Sequence, residues 1–218
     1  MSETAAEWAA ATEQALLDQA LKLAPIEGWT RRMSRLAGEA HGLSAAETEL
    51  LIPNGPEDLA ALLSRRHDAR ALAILSNVHP GNLKIRERIR RAVEARLDAS
   101  SSDEPALRRW MGHLALPQNL GLAGRLAWES ADVLWRWAGD TATDENHYSK
   151  RLLLAGILSG AMTIRMTSGR KAALEFVDRR IENVMAFEKW KATTTFKPGA
   201  WMARAAERLG KARYGQPR

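Results

Sequence analysis

The chain has 218 residues, a formal net charge of +6 and no cysteine, which excludes disulfides, thiolate chemistry and cysteine metal sites. Its apolar share of 45% and charged share of 27% are those of a globular protein able to bury a full core. The positive balance suits an anionic partner, nucleic acid or a membrane surface, and the placement of the charge decides between them.

The chain opens with MSETAAEWAAATEQALLDQ. This stretch is acidic and has neither a basic n-region nor a long apolar core. It reads as neither a signal nor a transit peptide, so a cytoplasmic protein is expected. Thr12 to Leu23 predicts the first helix, with Leu16, Leu17, Ala20 and Leu21 on its apolar side and Pro25 and Gly28 ending it. Thr30 is placed to cap a short second helix carrying Met33, Leu36, Ala37 and Ala40. Ser44 and Glu47 form a capping box for a third, which stops before Pro53-Asn54-Gly55-Pro56. Three short helices with tight turns outline a helix-turn-helix. Yet Ala37 to Ser64 holds no Lys or Arg, while it holds Glu39, Glu47, Glu49, Glu57 and Asp58. Duplex binding draws on cations set against phosphates, so no nucleic acid partner is expected. Only Arg31, Arg32 and Arg35, on the preceding helix, stand near enough to touch a backbone.

A fourth helix is predicted over Pro56 to Leu75 and a fifth over Asn82 to Leu97, the latter striped by Ile85, Ile89, Val93 and Leu97. Lys84, Arg86, Arg88, Arg90, Arg91 and Arg96 on its other faces read as a solvated surface with local ion pairs, or as a cationic patch. Glu104 to Leu114 is a short helix. Gly121 to Ala138 follows, with Trp128 and Trp135 on one side and Leu122, Leu126, Val133 and Trp137 on another. Apolar residues on several sides predict burial almost all round, as plain core or as the wall of a pocket for a long apolar ligand.

Leu152 to Ile164, LLLAGILSGAMTI, carries no charge. It is shorter than the roughly 20 apolar residues of a bilayer-spanning helix, and too long for a buried strand. It reads as a helix buried on most sides. Gly156 and Gly160 share a face. Each costs about 1 kcal/mol against Ala in a helix, so a closely packed partner helix is expected, from its own core or from a second copy of the chain. This helix ends near Thr167-Ser168-Gly169, and Arg170 to Lys191 continues with Leu174, Val177, Ile181 and Val184 on one stripe. Phe176, Asn183, Phe187 and Trp190 make a second. After a linker, Pro198 to Tyr214 sets Trp201, Met202, Ala205 and Leu209 against Lys197, Arg204, Arg208, Lys211 and Arg213. A basic amphipathic helix with tryptophan is a membrane-surface pattern.

The histidines His41, His67, His79, His113 and His147 are scattered. No phosphate loop, dinucleotide motif or nucleophile elbow occurs. Asp140, Asp144 and Asp178 are accounted for as turn, cap and ion-pair residues. No catalytic residue, metal or cofactor is expected.

Two blocks carry a likeness: GDTATDENHYSKRLLLAGILSGAMTI, then ALEFVDRRIENVMAFEKWKA. Together with ALKLAPIEGWTRRMSRLAGEAHGLS and LIPNGPEDL, they resemble the ubiquinone-biosynthesis accessory family of "coenzyme Q nine" lipid-binding proteins. The likeness runs roughly from Ala15 to Ala192. Its signature positions are Asp140, Asp144, Asn146, Tyr148, Lys150, Arg151, Phe176, Asp178, Arg179 and Arg180. The chain departs from the family at Leu174, where an aromatic is usual, and at the basic stretch Gly169-Arg170-Lys171.

The resemblance implies an all-α, TetR-like fold and a homodimer. It also implies a pocket for an isoprenoid or quinone-precursor lipid, and presentation of that lipid to a ubiquinone-pathway hydroxylase. The expected division is a helix-turn-helix-like bundle over 1–63, a lipid-binding and dimerisation domain over 64–192, and a linker and basic amphipathic helix over 193–218. Lipid contact is expected at Trp128, Leu134, Trp135, Leu152, Ala155, Leu158 and Met162. The dimer interface is expected at Gly156, Gly160, Val177, Ile181 and Val184, and the partner surface at Leu174, Asp178 and Arg179. An anionic membrane is expected to meet Trp201, Met202, Arg204, Arg208 and Leu209, at the inner face of the cell membrane. The alternative is a ligand-responsive repressor of the TetR type.

Overall fold

The computed structural model describes residues 4–140 and 145–193; the side chains of 145–146 and 187–193 fall outside that description. The regular structure among the described residues is all helical, with no strand among them. Eight helices follow one another: α1 (Ala5–Glu27), α2 (Arg31–Ala40), α3 (Ala45–Leu51), α4 (Pro56–Ile74), α5 (Ile85–Ala99), α6 (Glu104–Leu114), α7 (Leu120–Trp137) and α8 (Glu145–Thr193).

The expected caps are in place. Thr30 Oγ1 accepts from the Met33 N–H at 3.1 Å. Ser44 Oγ accepts from the Glu47 N–H at 3.2 Å while the Glu47 carboxylate accepts from the Ser44 N–H at 2.8 Å. α1 is longer than expected at both ends. A second capping box, Thr4 with Glu7, starts it early, and Pro25 is carried inside its last turn. The stop comes at Gly28, whose φ of 70° only glycine adopts readily.

The first compact unit, Met1–Asp178, has one core. Leu16 and Leu17 of α1, Met33 of α2, Leu59 and Leu63 of α4, Leu97 of α5, Leu107 of α6 and Leu126 and Leu134 of α7 are fully buried. α1 packs on α2, α4 and α6, and α4 on α5 and α7. Two tryptophans place their polar handles on carbonyls inside this core: Trp29 Nε1 donates to Ala106 O and Trp110 Nε1 to Ala60 O, both at 3.1 Å. At the α2–α3 crossing, a Cβ on Gly38 would overlap the Thr48 side chain, so only glycine permits that approach. The expected boundary after residue 63 falls inside α4. The second unit is Arg179–Arg218, of which the described part is the end of α8.

Two expectations about burial are corrected. Trp128, Trp135 and Trp137 are half-buried, and α7 exposes Gly121, Gly124, Arg125 and Arg136. Its buried line is Leu126, Ser130, Ala131 and Leu134, so one side faces the core. In α8, Leu154, Ala155, Leu158, Ala161 and Met162 are buried, whereas Leu152, Leu153 and Gly156 are exposed. The charge-free run is therefore a one-sided core helix. By length and composition alone, the stretch His147–Ala186 is apolar enough to cross a membrane, with a mean hydropathy of 1.3 in its most apolar window. That stretch is broken at Gly169 (φ 86°, ψ 175°), where the sequence predicts a stop.

Candidate functional site

A cavity of about 250 Å³ opens where α4, α5, α6, α7 and α8 converge. Its walls are mainly apolar: Trp110, Met111 and Leu114 from α6, Leu120, Ala123, Leu126 and Ala127 from α7, and Leu158 and Met162 from α8. Ser64, Arg96, Ser130, Ser159 and Thr163 are its polar lining. Among the described residues, no carboxylate or histidine lines it.

The polar end is built around Arg96, which is 3% exposed. Arg96 Nε donates to Asp68 Oδ1 at 2.6 Å, and Ser130 Oγ donates to the other oxygen of that carboxylate at 2.9 Å. The pair ties α5, α4 and α7 together inside the core. A buried ion pair is tolerated only when each charge is matched and hydrogen-bonded. Here the match is incomplete: Arg96 Nη1 is buried and has no hydrogen-bond partner among the described residues.

Next to Asp68 in α4 lies His67. Its Nε2 stands 2.8 Å from Asp103 Oδ2, which also accepts from Arg70 Nη1 at 2.6 Å. Burial pushes the imidazole below its usual range, against the pull of Asp103. The hydrogen bond from His67, with Arg70 beside it, holds the Asp103 carboxyl down at about 2. Both depressed groups contribute stability that is present at high pH and lost on acidification. The unfolded chain takes up the histidine proton below its ordinary pKa of 6.5, and the carboxylate proton from 3.8 downwards. The urea midpoint is therefore expected to be flat above pH 7, to fall between pH 6.5 and 5, and to fall again below pH 4. Equal midpoints at pH 8 and pH 5 would contradict this.

A second cluster joins α7 to α8. Arg151, 2% exposed, donates from Nε to Asp132 at 2.6 Å and from Nη1 to Asp140 at 3.0 Å. Lys150 Nζ reaches the other Asp140 oxygen at 2.7 Å and lies 5.5 Å from the Trp135 ring centre. Trp135 Nε1 donates to Lys150 O at 3.0 Å. A third cluster, beyond the Gly169 break, pairs Arg170 with Asp98 and Glu94, and Asp178 with Arg90 at 2.8 Å.

Four of the signature positions of the resemblance are thus joints between helices. Asp140, Lys150 and Arg151 lock α7 to α8, and Asp178 locks α8 to α5. Phe176 lies against Gly160, where a Cβ would come within 2.8 Å of its ring. Asp144 and the Asn146 side chain lie outside the described residues.

Of the residues expected to touch lipid, Leu158 and Met162 line the cavity. The others do not. Leu134 is sealed in the core, Ala155 is buried on the inner side of α8, and Leu152 faces outward. Trp135 is tied to Lys150, and Trp128 stacks on Tyr148 with ring centres 6.0 Å apart. The expected dimer residues are also dispersed. Gly160 receives Phe176 of its own chain and Val177 is fully buried in its own fold, so these two do not form an outer face. Gly156 is open, and Ile181 and Val184, in the second unit, are half-buried. On the expected partner surface, Leu174 is half-buried, Asp178 is held by Arg90 and Arg179 is exposed. Trp201, Met202, Arg204, Arg208 and Leu209 lie outside the described residues.

The sequence pattern groups Arg96 with the solvated cations of α5, so the polar end of the cavity is a finding of the structure. A signal was present. Residue 96 follows Ile89 and Val93 at spacings of seven and three, which puts it on the same apolar stripe.

Residues 120–188 match the sequence model of the COQ9 family. The chain is 29% identical over 183 residues to the ubiquinone biosynthesis protein COQ9, mitochondrial, of Rattus norvegicus, covering 78% of this chain and 57% of that protein. The Bos taurus and Homo sapiens proteins of the same name are 27% and 26% identical over the same length, covering 78% of this chain and 56% of each. The chain thus spans little more than half the length of these relatives. Their names correct one expectation: the relatives are mitochondrial proteins, which conflicts with a cytoplasmic protein at the inner face of the cell membrane. Residues 120–188, which supply α7 and most of α8, are thus the part of the chain that is similar to the COQ9 family.

Proposed function

We propose that the protein serves ubiquinone biosynthesis as a non-catalytic binding protein. In this reading it takes an isoprenoid or quinone-precursor lipid into the α4–α8 cavity and presents it to a pathway hydroxylase. The observation that carries the reading is a cavity with apolar walls whose α7 and α8 sides come from the region matched to the COQ9 family. The relatives named ubiquinone biosynthesis proteins support the pathway. A binding role is favoured over catalysis because the carboxylate beside a lining hydroxyl, Asp68 against Ser130, is already neutralised by Arg96 and so is a poor base.

Further parts of the reading rest on particular surfaces. The exposed Leu152, Leu153 and Gly156 of α8 offer an apolar face to a second copy of the chain. The basic amphipathic pattern of 198–214 suits an anionic membrane. Leu174 and Arg179 are proposed to meet the hydroxylase. The acidic Glu47 and Glu49 exposed on α3 weigh against duplex DNA and hence against a repressor.

Native mass spectrometry of the purified full chain, followed by solvent extraction, tests the reading. A co-purifying neutral lipid, or a one-to-one adduct on adding a short-chain quinone, is expected. Protein that stays free of adducts under both conditions would refute it.

A further inference from the structure

Between His113 and Arg125 the chain carries no charge: residues 114–124 read LALPQNLGLAG. They include the corner that joins α6 to α7, which turns through a single 3₁₀ segment, Pro117–Asn119. Corners between helices are ordinarily polar, because they meet water. This one turns Leu116 and Leu120 outward, 42% and 59% exposed, with Ala115, Pro117, Gln118 and Gly121 exposed around them. A lone exposed leucine means little, but two at one uncharged turn make an apolar tip.

The tip is held in shape and its backbone is paired. The Ala115 N–H donates to Met111 O at 3.0 Å, the Leu116 N–H to His113 O at 3.2 Å and the Asn119 N–H to Leu116 O at 2.8 Å. The Asn119 side-chain amide, in a residue 5% exposed, donates to His113 O at 2.9 Å. Backbone can enter hydrocarbon only when its polar groups are satisfied from within. The tip also stands at the mouth of the α4–α8 cavity. The lining residues that face solvent are Ala115 and Leu120 from the corner, and Ser159 and Thr163 from α8. Those two hydroxyls donate inside their own helix, Ser159 to Ala155 O at 2.8 Å and Thr163 to Ser159 O at 3.0 Å, which masks their polarity at the rim.

The surroundings say what the tip meets. On its flank, Arg31 and Arg125 share a cleft with Glu57 and Asp58. That balance gives no electrostatic steer towards an acidic or a basic protein. Two leucines on a narrow corner also bury far less than the roughly 1,200–2,000 Å² of a stable protein interface. A lipid surface needs no matching pocket and admits a narrow apolar tip.

We propose that the α6–α7 corner dips into the surface of a lipid bilayer. Leu116 and Leu120 lie below the headgroups, and the cavity mouth opens towards lipid instead of water. This contact is separate from the basic pattern of 198–214 and is apolar in character. It rests on the reading of the cavity as a ligand site only for what passes through the mouth.

The chain has no cysteine, so Gln118→Cys gives a single labelling position at the tip, and Ala46→Cys, exposed on α3, gives a control. Each full-length variant is labelled with the environment-sensitive dye NBD and sedimented with vesicles of phosphatidylcholine and phosphatidylglycerol. In the sedimented protein, NBD at 118 is expected to shift to the blue and to be quenched by doxyl-labelled acyl chains, while NBD at 46 keeps its emission in buffer. Adding Leu116→Glu to the Gln118→Cys chain should cut the shift at least about fivefold, because a carboxylate resists entering the interface. A dye at 118 that stays as in buffer, an equal shift at 46, a shift undiminished by Leu116→Glu, or no sedimentation with vesicles would each overturn the proposal. Where circular dichroism shows Leu116→Glu unfolded, the contrast between 118 and 46 decides. Uptake of a short-chain quinone from solution is scored separately. Uptake with a tip that stays in water sinks the bilayer contact alone, and an inserted tip on a chain that takes up no quinone sinks the cavity reading alone.

Discussion

Replacing Arg151 with methionine is expected to lower the free energy of unfolding by about 3–5 kcal/mol, the usual cost of removing one partner from a buried ion pair. Arg151 is 2% exposed and answers two carboxylates, Asp132 and Asp140. Methionine fills similar volume and removes the buried counterion that the two acids share, leaving Asp140 to Lys150 and Asp132 to the exposed Arg136. Arg136 provides an internal control. It pairs with the same Asp132 at 2.8 Å, but its side chain is 72% exposed. Arg136→Met should therefore cost no more than about 0.5 kcal/mol. Urea denaturation with linear extrapolation measures both. Equal losses in the two variants would mean that burial does not set the value of this cluster.

Filling the cavity should remove ligand binding without removing the fold. Ala123 lines it from α7 and is half-buried. Ala123→Phe places a ring where the bound ring is proposed to sit, and uptake of Nile red or a hexyl quinone should fall at least about tenfold. The cost to stability is expected to stay at or below the roughly 1–3 kcal/mol of overpacking, because the new ring occupies open space. Undiminished uptake in a folded variant would move the binding site elsewhere.

How the sequence relates to these sites differs from element to element. Caps are local, and they were legible: Thr30, Ser44 with Glu47, and the bounds Glu104–Leu114 are where the spacing puts them. The break at Gly169 was legible for the same reason. Pro25 misled because its ring sits in a last turn already anchored by Gly28.

The face of a helix that meets the core depends on its neighbours, and composition alone misjudged it. Tryptophans on two sides of α7 suggested burial all round, yet each indole is only half-covered. Gly160 suggested an external partner, and its partner is Phe176, sixteen residues later, folded back beyond the kink. The cavity was least legible, since its lining comes from five helices spread from Ser64 to Thr163. Only Leu158 and Met162 were foreseen there.

Part of the likeness to the COQ9 family is carried by residues that hold α8 to α7 and to α5. Asp140, Lys150, Arg151 and Asp178 do their work as helix-to-helix joints. That explains how a motif can mark the family while its residues stand outside the cavity they frame. It also separates two kinds of variant. Changes at the joints should act on stability first, and changes at Ala123, Leu158 or Met162 should act on binding first.

The most direct measurement is a crystal structure of the full chain grown with 2-hexyl-1,4-benzoquinone. The account predicts one quinone in the α4–α8 cavity, in contact with Leu158 and Met162. A cavity closed by its own side chains, or a quinone bound outside it, would contradict it.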